Sequence, residues 1–133
     1  MSLSKPPDEP IQLDALRTPL EIVNRMQWVL FYLQKATHVI KDLRSDHIDA
    51  KDAYSKAAKL HVVSLAGQGS AADRESAAQL ANWELYDAMV VAEKALQYAK
   101  EKKDDLSTEL SALQTESKLV LGEMQLSGKA YGA

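Results

Sequence analysis

From Pro19 onward the chain keeps one spacing. Ile22, Met26, Val29, Leu33, Ala36, Ile40 and Leu43 follow one another at alternating steps of four and three. That alternation belongs to a helix whose apolar stripe packs along another helix in a left-handed pair or bundle. A half-buried strand alternates at every second residue, so this pattern excludes one. The rhythm continues with weaker residues through His47, Ala50, Tyr54, Ala57 and His61. Thr18-Pro19-Leu20-Glu21 opens the helix: Thr18 can cap, Pro19 suits the first helical position, and Glu21 completes a capping box. All four prolines lie before Leu20, and no glycine precedes Gly67. The spacing therefore predicts one helix over about 19–65, with the polar run Ser45–Asp49 as a place for a kink.

Gly67-Gln68-Gly69-Ser70 is the clearest turn. Gly67 suits a left-handed helix end, and Ser70 with Asp73 resembles the cap of a second helix. The rest of a phosphate-binding loop is missing, so a helix–helix turn at 67–70 is the simpler reading. The second helix is expected over about 71–126. Its seam reads Ala78, Ala81, Leu85, Ala88, Ala92, Ala95 and Ala99, widened by Trp83, Tyr86, Met89, Val90, Val91, Leu96 and Tyr98. Beyond the polar run Lys100–Asp105 the pattern resumes at Leu106, Leu110, Leu113, Val120, Leu121 and Met124. The step from Leu106 to Leu110 shifts its phase and predicts a kink or cap at Asp104 or Asp105. The expected fold is all-α, a long antiparallel helical hairpin, coiled-coil-like, oligomerising into a helical bundle. Residues 1–17 read as a flexible N-terminal arm, because Pro6, Pro7 and Pro10 oppose helix. Ile11, Leu13 and Leu16 in that arm can still dock on the folded body. The domain spans 18–127, and 128–133 reads as a flexible tail.

Within the first helix Trp28, Val29, Leu30, Phe31, Tyr32 and Leu33 stand in a row. Six consecutive large side chains point all around a helix, and one neighbouring helix covers only one stripe of them. The aromatic share is only 6% and much of the apolar content is alanine, so the rest of the chain offers little to cover them. A homo-oligomer is therefore expected, its partner-facing residues being Trp28, Leu30, Phe31, Tyr32, Trp83, Leu110 and Leu113. A foreign host or phage protein is the alternative occupant.

Composition excludes several function classes. The chain has 133 residues, enough for one domain, and a net charge of −3, which argues against a dedicated nucleic-acid binder. No cysteine is present, so disulfide, thiolate and cysteine–zinc chemistry are out. No apolar run is long enough to span a membrane, and the first ten residues lack the apolar stretch of a signal peptide; a cytoplasmic location is the default. His38, His47 and His61 form no Glu-x-x-His pair of the kind that builds metal sites in bundles, so neither metal nor cofactor is expected. No nucleophile motif or nucleotide loop occurs, and Glu21, Asp87, Glu93 and Glu109 are expected on solvent-facing positions. The chain thus reads as a non-enzyme with no catalytic residues. One basic cluster keeps a single-strand nucleic-acid reading open. Antiparallel pairing brings Lys35 near Lys102 and Lys103, with Lys41 and Lys100 close by and aromatics alongside. Glu101, Asp104 and Asp105 dilute that patch.

The C-terminal third carries a resemblance. A Lys-rich stretch, Leu106, Leu110-Ser111-Ala112-Leu113-Gln114, Glu123-Met124 and a Gly-containing end are similar to small helical proteins encoded by bacteriophages of actinobacteria. The Ala-rich helix after a Gly/Ser turn resembles them too, and the likeness covers about residues 20–130. It implies a phage context, in host cytoplasm, and carries over no catalytic residue. The function expected is that of a helical interaction or scaffolding protein acting through self-association. A recombination or replication accessory that binds single strands, and an inhibitor docking on a host protein, are the alternatives.

Overall fold

Three helices make up the described residues: α1 (Pro19–Ser64), α2 (Ala71–Ala81) and α3 (Trp83–Gly132). They come from a computed structural model that describes residues 18–132, with side chains described for residues 18–126. The expected arm, 1–17, lies outside the described residues, as does Ala133 of the expected tail. No strand occurs among the described residues, and α1 packs against α3 as an all-α helical hairpin.

The caps follow from local chemistry. Glu21 N–H donates to Thr18 Oγ1 at 3.2 Å and Thr18 N–H donates to Glu21 Oε2 at 3.4 Å, a reciprocal capping box. Ser70 and Asp73 repeat it at the start of α2, with Asp73 N–H to Ser70 Oγ at 3.1 Å and Ser70 N–H to Asp73 Oδ2 at 3.3 Å. Each box satisfies two backbone donors that a helix start would otherwise leave orphaned. Between α1 and α2 the chain reverses through Gly67 at φ +81° and Gly69 at φ +71°. Both angles are in the left-handed region, which costs any residue with a Cβ about 1 kcal/mol or more.

α1 is continuous through Ser45. Three expectations about the second half change. Asp104 does not interrupt its helix, since no residue there lacks a backbone donor or prefers left-handed backbone. The expected second helix instead divides at Asn82, which sits at φ −113°, ψ 33°. There the Asn82 N–H and its side-chain Nδ2 both donate to Ala78 O, at 3.1 and 2.9 Å. Tyr86 N–H still reaches Asn82 O at 3.0 Å, so the ladder bends without breaking. Asparagine favours such sites because its amide competes for backbone partners. Finally, α3 is helical to Gly132, past the expected end near 126.

The division at Asn82 also moves the seam. Ala81, Leu85 and Ala88, placed on the seam by their spacing, are exposed. Downstream, Leu96, Ala99, Lys103, Leu106, Leu110, Leu113, Ser117 and Val120 are buried or half-buried at alternating steps of three and four. The seam runs through the polar Lys100–Asp105 run without the expected phase shift. Lys102 and Lys103 are half-buried there, as long aliphatic stems allow.

The chain divides into two compact units. In the first, which takes residues up to Thr37 and from Glu101 on, Ile22, Val29 and Leu113 form a fully buried cluster. Met26, Leu33, Leu106, Leu110 and Val120 pack against it. Fully burying each such aliphatic side chain stabilises by about 1.5–3 kcal/mol. Arg25 Nε donates to Glu109 Oε1 at 2.8 Å across the two helices, in the register that brings Met26 and Val29 beside Leu110 and Leu113. The second unit, His38–Lys100, buries Ile40, Ala78 and Leu96. Tyr54 of α1 meets Tyr86 of α3 edge-on there, with ring centroids 5.3 Å apart.

Candidate interaction surface

The first unit decides which of the six side chains from Trp28 to Leu33 turn inward. At about 100° per residue, Ile22, Met26, Val29 and Leu33 form one stripe of α1, and α3 covers it. Outside that stripe Leu20, Val23, Leu30 and Phe31 are 68%, 47%, 45% and 50% exposed, Leu20 and Phe31 opposite it and Val23 and Leu30 along one flank. Trp28 is buried, and its ring stacks on Tyr32 at 5.2 Å, with planes 8° apart. Phe31 meets the same Tyr32 ring edge-on at 5.2 Å. One partner helix thus absorbs more of the apolar segment than its all-round pattern implies, and Leu30 and Phe31 are what it leaves out.

Charge is scarce around this outward stripe. From Ile22 to Gln34 the only charged residue is Arg25. Its side chain is 13% exposed and bonded to Glu109, itself 10% exposed. Glu109 therefore does not take the solvent-facing position expected of it. Asn24, Gln27 and Gln34, all exposed, supply neutral polar groups among Leu20, Val23, Leu30 and Phe31. An apolar centre depleted of charge is the compositional mark of an association surface.

The other partner-facing residues distribute differently. Leu113 is 1% exposed and Leu110 half-buried, both within the core of their own unit. Neither takes the partner-facing position expected of it, because both pack with Met26 and Val29 of α1. Trp83 is 54% exposed in the second unit, with its ring 5.7 Å from Tyr86.

The basic cluster divides as well. Lys35, Lys102 and Lys103 belong to the first unit, and Lys41 and Lys100 to the second. Lys35 Nζ lies 5.9 Å from the centre of the Tyr32 ring, a cation–π contact that occupies the ring a base would stack on. Trp28, which is buried, stacks on that same Tyr32 ring. The aromatics nearest Lys35 are thus engaged within the chain.

In the second unit an open cleft of about 720 Å3 lies between α1 and α2, lined by Tyr54, Ala58, Val62, Ala72, Ser76 and Gln79 among others. Its charged lining groups are Lys59 and Glu75. No group of three or more metal-ligating side chains exists among the described residues, and His38, His47 and His61 do not converge. No helix among them is long and apolar enough to cross a membrane.

Comparison with protein-family models, with curated proteins and with solved structures gives no match.

Proposed function

We propose that the chain is a non-enzymatic helical interaction protein that self-associates through the outward stripe of α1. A phage setting, which rests on the pattern resemblance alone, is part of the same proposal. The observation that carries it is the pairing of exposed Leu20, Val23, Leu30 and Phe31 with a stretch whose single charge is neutralised inside the hairpin. The exposed charges nearest the stripe, Glu21 and Lys35, are of opposite sign, so it can meet its own copy across a two-fold axis with little like-charge repulsion. Gln27 lies near the middle of the stripe, so an antiparallel crossing there sets Val23 of one copy against Leu30 and Phe31 of the other.

The stripe is about 20 Å long at 1.5 Å per residue. It is small beside the roughly 800 Å2 that each partner buries in a standard interface. Association should therefore depend on concentration, with a dissociation constant on the order of micromolar. Light scattering or sedimentation across a concentration series, at low and high salt, tests it. The mass should rise with concentration and be insensitive to salt, and Leu30→Gln with Phe31→Gln should hold the chain at monomer mass. A monomer at every concentration in the unaltered chain overturns the proposal.

A further inference from the structure

Glu21 and Lys35 stand two heptads apart on α1. That spacing returns to within about 40° of the same direction around a helix. At about 100° per residue both fall beside Leu20 and Phe31, on the flank away from Val23 and Leu30. Both side chains are exposed. Their local contacts leave their charges in place: Glu21 accepts from the Thr18 N–H at 3.4 Å, and Lys35 Nζ lies 5.9 Å from the centre of the Tyr32 ring. On the other flank Val23 and Leu30 stand one heptad apart, with their midpoint between Met26 and Gln27, whereas Glu21 and Lys35 are centred on Trp28. The exposed Gln27 is thus near the middle of both pairs.

We infer, resting on the reading that α1 self-associates through this face, that a second copy docks antiparallel in one register, centred near Gln27 and fixed by reciprocal Glu21–Lys35 ion pairs. Antiparallel helices related by a two-fold axis bring each flank of one against the same flank of the other. Glu21 of each copy then meets Lys35 of the other, and Val23 meets Leu30 twice on the far flank. The charged and the apolar pairings select the same register to within about half a turn. Gln27 falls at the axis, where its side-chain amide, donor and acceptor at once, can bond its own copy; a polar residue in an apolar seam fixes register in this way. A parallel pair in register would set Glu21 against Glu21 and Lys35 against Lys35. Exposed ion pairs add little affinity, so Leu20, Val23, Leu30 and Phe31 supply the attraction and the charges choose the orientation.

The absence of cysteine in the chain lets single thiols report orientation. Leu20→Cys and Gln34→Cys are made in separate full-length chains; both positions are exposed, and Gln27 is their midpoint. The two chains are mixed in equal amounts in a glutathione redox buffer, at a concentration where the unaltered chain dimerises, and disulfides are identified by peptide mass mapping. The antiparallel register expects the mixed disulfide between the two variants to exceed the two self-disulfides together by about fivefold or more, since only the mixed pair faces its partner thiol. Self-disulfides in excess would show a parallel pair, and a mixed product merely equal to the others would show no fixed register. Either result overturns the inference and leaves self-association standing, whereas a monomer at every concentration of the unaltered chain removes the reading beneath it. Charge supplies a second measurement. At low salt Lys35→Glu and Glu21→Lys should each self-associate about fivefold more weakly than the unaltered chain, and a mixture of the two should recover the loss, because each chain then offers the charge that the other lacks. Circular dichroism of each chain alone controls for the cap that Glu21 provides. Equal association of both variants and their mixture with the unaltered chain would remove the ion pairs and overturn the inference.

Discussion

Arg25 Nε and Glu109 Oε1 are 2.8 Å apart across α1 and α3, and their side chains are 13% and 10% exposed. The pair links residues far apart in the chain and sits beside the Ile22–Val29–Leu113 cluster, so it reports the register of the two helices. Removing one partner from a mostly buried pair strands the other charge, which costs several-fold more than an exposed pair is worth. Arg25→Met or Glu109→Gln alone should destabilise by about 2 kcal/mol. The double change Arg25→Met with Glu109→Leu should recover most of that loss, since apolar replacement of both partners is nearly neutral. Urea unfolding of the unaltered chain, Arg25→Met, Glu109→Leu and the double variant completes the cycle; strict additivity would show that the two groups do not interact.

Core and surface leucines on the same helix should behave unequally. Leu113 is 1% exposed and Leu119 is 66% exposed. Leu113→Ala removes packed methyl groups and leaves a cavity, a loss of about 2–4 kcal/mol. Leu119→Ala should change stability by less than about 0.5 kcal/mol. Thermal unfolding followed by circular dichroism distinguishes them, and similar losses at both sites would contradict the orientation of α3.

Two glycines should respond with opposite signs. Gly67 has φ +81° and Gly122 lies inside α3; an added Cβ meets no atom within 4 Å at either. Space is therefore not the issue at either site. At Gly67 a Cβ strains the left-handed backbone, so Gly67→Ala should cost about 1 kcal/mol and Gly67→Asn less. At Gly122 alanine lowers the entropy of the unfolded chain and should stabilise by roughly 0.5–1 kcal/mol. Midpoint shifts in urea of the same sign for both alanine variants would be the unexpected result.

The two halves of the apolar segment should separate stability from association. Trp28 is buried, whereas Leu30 and Phe31 are about half exposed. Trp28→Ala should lower stability by about 3 kcal/mol or more. Leu30→Gln with Phe31→Gln should leave the unfolding midpoint of dilute protein nearly unchanged while reducing the mass measured at high concentration. A mass unaffected by the latter pair would remove the outward stripe from any role in self-association.

Much of the architecture is written locally. The Thr18–Glu21 and Ser70–Asp73 capping boxes use residues three apart, and Gly67 and Gly69 need only their own φ angles. The seam from Ile22 to Leu43 repeats over short intervals, and each of its members is buried or half-buried. Such features are legible because the forces that set them act within one or two turns. In the second half the seam is written in alanine, which marks a helix face weakly. Ala81 and Ala88 could therefore be assigned to the wrong face, and the polar Asn82 passed as an ordinary helical residue.

The amino-acid sequence by itself determined that the chain is helical, where it turns, and which stripe of α1 seeks a partner, because backbone hydrogen bonding and heptad spacing are short-range. Only the tertiary structure decided which of Trp28 to Leu33 are inside, that Glu109 leaves solvent to meet Arg25, and that Leu113 belongs to the chain's own core. Those outcomes depend on where a second helix lies. Six adjacent side chains of similar apolarity have nearly equal claims to burial, and it is the line along which α3 crosses them that selects Val29 and Leu33 and leaves Leu30 and Phe31 outside.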